Sequence, residues 1–88
     1  MNEPDSRQAF GDRLRLRRND LGLTQFRLAV IIDASPTTIS HWERGHSYPQ
    51  RPKLFKLAKG LRCDPRWLEG IEGARIPAFR EDQETVSP

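Results

Sequence analysis

The sequence predicts an all-α domain of five short helices, and three observations carry that expectation. Apolar residues recur at steps of three and four, the period of a helix with one buried face, and no stretch alternates as a strand would. Cap residues followed by proline open several segments, and glycines close them. A length of 88 residues leaves room for one modest core, which compact helix packing suits.

Phe10, Leu14, Arg17 with Arg18, and Leu21 define the first helix, placed at residues 6–19 and capped by Asp5 or Ser6. Gly22 supplies the left-handed residue that ends it. Thr24 caps a second helix of about two turns, with Leu28, Ala29, Ile31 and Ile32 directed inward. Asp33 breaks that pattern, and Ser35 before Pro36 opens a third helix at residues 36–44, stopped by Gly45. Residues 46–49 read as a loop. Pro52 opens a fourth helix with Leu54, Leu57, Ala58 and Leu61 on one side and Lys53, Lys56 and Lys59 elsewhere. Asp64 and Pro65 repeat the cap-then-proline signal for a short fifth helix bearing Trp67 and Leu68. The expected organisation is a flexible N-terminus over residues 1–5, one domain over 6–70, and a mobile polar tail or linker over 71–88. That tail has one small apolar patch, Ile76, Pro77, Ala78 and Phe79.

Composition removes several function classes. Cys63 stands alone, so no internal disulfide can form, and with only His41 and His46 beside it there is no zinc-spaced ligand set. No metal or cofactor is expected. The longest apolar run, residues 28–32, is far short of the roughly 18 residues a membrane span needs. A reducing, cytoplasmic setting fits best. Ser35 or Ser40 near His41 lacks a cleft and a third orienting group, and Glu81, Asp82 and Glu84 lie where nothing fixes their geometry. The expectation is therefore a protein that is not an enzyme. Charge points elsewhere: residues 1–62 carry twelve Arg and Lys against six acids, a net +6, while residues 63–88 carry three against six, a net −3. A basic globular part suits a polyanionic partner.

The second and third helices, separated by a short turn, have the spacing of a helix-turn-helix. Ala29 sits where the pair must pass closely. Leu28, Ile32, Ile39 and Trp42 converge into one core, leaving Thr37, Ser40, His41 and Arg44 outward as a surface suited to base edges and phosphates. Trp42 and Trp67 read as core aromatics, Cys63 as a small core residue and His46 as loop surface.

On these residues the stretch 10–68 resembles the lambda-repressor-like (Cro/CI, XRE-type) helix-turn-helix DNA-binding family. The resemblance rests on Arg18, the run Leu21-Gly22-Leu23-Thr24-Gln25, Leu28-Ala29, Ser35, Thr38-Ile39-Ser40, Trp42-Glu43-Arg44-Gly45, Pro49, Leu57-Ala58 and Trp67-Leu68. It implies a DNA-binding set of Gln25, Ser35, Pro36, Thr37, Ser40, His41 and Arg44, in which Gln25 bonds the DNA backbone, Pro36, Thr37, Ser40 and His41 occupy the outward recognition positions, and Arg44 holds phosphate. It also implies an internal salt bridge between Arg18 and Glu43. Two residues depart from the family pattern: Asp33 stands where glycine is usual in the turn, and Pro36 replaces a polar recognition residue. The implied function is a transcriptional regulator, most simply a repressor, binding a pseudo-palindromic double-stranded DNA operator as a homodimer. Two alternatives are an antitoxin-type interaction module, with a protein partner held by the tail, and the N-terminal domain of a longer phage-type repressor.

Overall fold

The computed structural model describes residues 6–71, and within them every regular element is helical. The order is α1 (Ser6–Asp20), α2 (Gln25–Ile32), α3 (Pro36–Glu43), α4 (Arg51–Gly60) and α5 (Pro65–Glu69). Bounds differ from the sequence expectation by a residue: α1 runs to Asp20, α3 stops at Glu43 with Arg44 as its cap, and α4 begins at Arg51, one residue before Pro52. The capping chemistry explains where helices start. The Thr24 hydroxyl accepts from the Arg27 amide at 3.0 Å, Ser35 from Thr38 at 3.1 Å, and the Asp64 carboxylate from Arg66 at 2.9 Å. Each satisfies an amide that the first turn leaves without a partner.

Among the described residues thirteen apolar side chains form one core, with Phe10, Leu14, Leu28, Ile39, Leu54, Leu57, Leu61 and Leu68 fully enclosed. Each large member contributes roughly 1.5–3 kcal/mol by leaving water. Trp42 and Cys63 are buried, whereas Trp67 and Leu21 only flank the core. Ile31 corrects the sequence reading: expected inward, it is 49% exposed. The buried stripe of α2 is Leu28, Ile32 and Ala29, and at about 100° per residue Ile31 falls roughly 60° beyond its edge.

Two glycines permit close helix contacts. A Cβ on Gly11 would lie 2.5 Å from the Glu43 carbonyl oxygen and 2.6 Å from that of Trp42, so α1 rests directly on the end of α3. On Gly60 it would lie 2.9 Å from Ile32 Cγ2, which lets α4 approach α2. The arginines of α1 complete the assembly. Arg13 Nε donates to the Leu68 carbonyl at 2.9 Å, while Arg17 donates to those of Leu61 at 2.9 Å and Arg62 at 3.2 Å. These carbonyls lie at the ends of α5 and α4, where backbone acceptors lack helical partners and attract cations.

Candidate nucleic-acid interface

The turn between α2 and α3 determines how α3 is presented. Asp33 adopts the left-handed conformation (φ 60°, ψ 54°), with its amide donating to Val30 and the Ala34 amide to Ala29 at 2.8 Å. Ser35 and Pro36 then start α3, whose Ile39, Trp42 and Glu43 are buried. Pro36, Thr37, His41 and Arg44 are exposed, and Thr38 and Ser40 are half-buried. Thr37 and His41, four residues apart, share one side of the helix.

The site residues differ in how far their polar groups are already engaged. Ser35 is exposed, but its hydroxyl caps Thr38 and lies 3.0 Å from the Thr38 hydroxyl. The His41 carbonyl accepts from the His46 amide at 2.9 Å, and the two imidazoles stand 5.8 Å apart at the far end of α3. Gln25, half-buried at the start of α2, donates through Nε2 to Glu43 Oε1 at 3.0 Å. That amide nitrogen has a second hydrogen for an outside acceptor.

Glu43 is the centre of a buried network. Arg18 grips its carboxylate with two parallel bonds, Nε to Oε2 at 2.5 Å and Nη2 to Oε1 at 3.1 Å, and donates a third to the Leu23 carbonyl at 2.8 Å. The side chains of Arg18 and Glu43 are only 12% and 4% accessible. Desolvating two charges is unfavourable unless their bonds are complete, and here Gln25 supplies the remaining donor. One carboxylate thus joins α1, α2 and α3. The bond from Gln25 was invisible to sequence reading, because it spans 18 positions and belongs to no local pattern.

Around this unit, Lys53 Nζ donates to the Asp33 carbonyl at 3.1 Å. Arg51 pairs with Glu69 at 3.1 Å and lies 5.4 Å from the Phe55 ring centre. Burial pushes the Cys63 thiol up to about 12, which keeps it protonated and unreactive. No described helix is long and apolar enough to cross a membrane.

A helix-turn-helix family model matches residues 14–68. The HTH-type transcriptional regulator DicA of Escherichia coli (strain K12) is 45% identical over 59 residues, which are 67% of this chain and 44% of that protein. Repressor protein C2 of Salmonella phage P22 is 38% identical over 61 residues, 69% of this chain and 28% of that one. The chain therefore spans less than half the length of either relative. Among solved structures, the P22 c2 repressor in complex with a synthetic operator superposes with a TM-score of 0.66 at 37% identity, covering 67% of this chain and 89% of that one. The family model reaches from within α1 to α5, more than half of the chain, and the chain belongs to the lambda-repressor-like helix-turn-helix family.

Proposed function

We propose that this chain is a sequence-specific double-stranded DNA-binding transcriptional regulator, a cytoplasmic repressor that acts without catalysis or cofactor. The observation that carries the reading is the two-sidedness of α3: Ile39, Trp42 and Glu43 anchor it while Thr37, His41 and Arg44 stay exposed. An α-helix held this way fits a major groove, where short polar side chains reach base edges. In this reading Thr37, Ser40 and His41 read bases, Pro36 offers an apolar contact, and Ser35 fixes the helix start. Gln25 and Arg44 hold phosphates. The repressor assignment is supported by the relatives, one a regulator and one a repressor crystallised on an operator. One recognition helix reads only a few base pairs, so a homodimer on a pseudo-palindromic operator supplies the specificity a genome requires.

The test is a titration of alanine variants against a duplex selected from random sequences and against an unrelated duplex, each over a range of salt. Thr37→Ala and His41→Ala are expected to weaken the selected site by about 1–3 kcal/mol and the unrelated duplex much less. Arg44→Ala is expected to weaken both alike and to reduce the slope of log affinity against log salt by about one. If both base-reading variants kept the wild-type ratio of specific to nonspecific affinity, α3 would not be the reading element.

A further inference from the structure

We infer that Lys53 is a positioning residue for DNA reading, holding the helix-turn-helix turn through the Asp33 carbonyl. The inference rests on the DNA-binding function proposed above, and it removes Lys53 from the set of bases available to phosphate.

Three features of the geometry lead to this assignment. Lys53 is the third residue of α4, within its first turn, where the helix dipole disfavours a cation. Its ammonium lies instead at the opposite pole of another helix, 3.1 Å from the carbonyl oxygen of Asp33, the C-terminal cap of α2. There the charge is favourable, and the bond is charge-assisted.

The residue it holds is also strained, one of two non-glycine residues at positive φ among those described. Asp33 takes φ 60° without being glycine, a conformation that disfavours any side chain. That turn sets the angle between α2 and α3, since the next residue, Ala34, bonds back to Ala29 and Ser35 then starts the reading helix. Seven residues further along α4, Gly60 packs against Ile31 and Ile32 at the end of α2. Two successive points on one side of α4 thus grip the last turn of α2, one by a hydrogen bond and one by close contact. Lys53 thereby links the turn that precedes α3 to α4.

The contact is read directly in the wild-type chain by NMR, as a slowly exchanging Lys53 ammonium resonance with a scalar coupling to the Asp33 carbonyl carbon. Function is read by titrating wild type, Lys53→Met, Lys53→Arg and, as a comparison on the same helix, Lys56→Met against the selected and unrelated duplexes over a range of salt. Lys53→Met is expected to lose about tenfold affinity for the selected duplex and little for the unrelated one, an effect of about 1.4 kcal/mol. Its salt slope should equal that of wild type, and its Ala34 amide should exchange faster. Lys53→Arg, which keeps a charged donor, should recover most of the affinity. An equal loss on both duplexes with a slope smaller by about one would make Lys53 a phosphate contact and overturn the proposal. So would unchanged affinity and exchange in Lys53→Met, or the absence of the ammonium coupling, which is informative even if that variant folds poorly. Failure of the wild type to prefer any duplex would instead sink the DNA-reading function, and the ammonium coupling would still decide the contact.

Discussion

Glu43 brings a carboxylate into the core at 3% exposure, and its partners determine whether that stabilises the fold or opposes it. With Arg18 bidentate and Gln25 on the same oxygen, the charge is matched; with either charged partner removed, the other is stranded. Arg18→Met and Glu43→Gln are each expected to destabilise by about 3–5 kcal/mol, and the double variant by less than their sum. Urea unfolding of the four proteins gives the coupling, and a value near zero would mean the pair contributes nothing in solution. Asp64 provides a second test at this scale. Its hydrogen bond from the Arg66 side chain is the main reason its carboxyl lies below the usual 3.8. A carboxyl depressed in the folded chain adds stability that is present above its unfolded value and lost as pH falls below it. Asp64→Asn is therefore expected to flatten the acid limb of stability below about pH 4, leaving a shallower slope than wild type in the same unfolding series. An unchanged limb would rule out Asp64 as a source of the acid sensitivity.

Within elements, cap signals transfer faithfully because they act over two or three residues. Thr24, Ser35 and Asp64 all cap as expected, and Gly22, Gly45 and Gly70 all take positive φ at helix ends. Asp33 at φ 60° meets the expectation of a left-handed turn at a residue where the family uses glycine. No hydrogen bond to its carboxylate is present among the described residues. Asp33→Gly should then relieve side-chain strain while increasing the freedom of the unfolded chain, two opposed effects. The expected result is a change between zero and about 1 kcal/mol of added stability, read from thermal melts. A clear loss would reveal an interaction of the carboxylate that this geometry does not contain. Gly11 was not legible in the same way. A glycine inside a helical pattern looks like a weak point, and only the crossing of α1 over the Glu43 carbonyl shows why a Cβ is excluded.

At the scale of the whole molecule, the buried apolar set among the described residues begins at Phe10 and ends at Leu68. The sequence of residues 72–88 carries no periodic apolar face, so deleting them is expected to shift stability by less than about 1 kcal/mol, and a larger fall would indicate packing between that segment and the core. The tail patch at Ile76 to Phe79, the sequence support for the alternative of an antitoxin-type module, lies outside the described residues. Charge is the property that folding revises most. The basic excess counted from sequence includes Arg13, Arg17 and Arg18, yet all three donate to carbonyls or to Glu43 inside the domain. Fewer cations are left for phosphate than the count implies.

The sequence alone determined the helices, their caps, most of the core and which side of α3 faces outward, because periodicity and capping act between residues a few positions apart. It also determined the family, since the pattern over residues 14–68 is itself local. The resemblance also implied the pairing of Arg18 with Glu43, but only the tertiary structure decided what Arg13, Arg17 and Lys53 do. Arg13 reaches 55 positions to Leu68, Arg17 44 to Leu61, and Lys53 20 back to Asp33. A long cationic side chain reads identically in sequence whether it meets a phosphate or the end of a helix, and only the positions of the carbonyls distinguish the two.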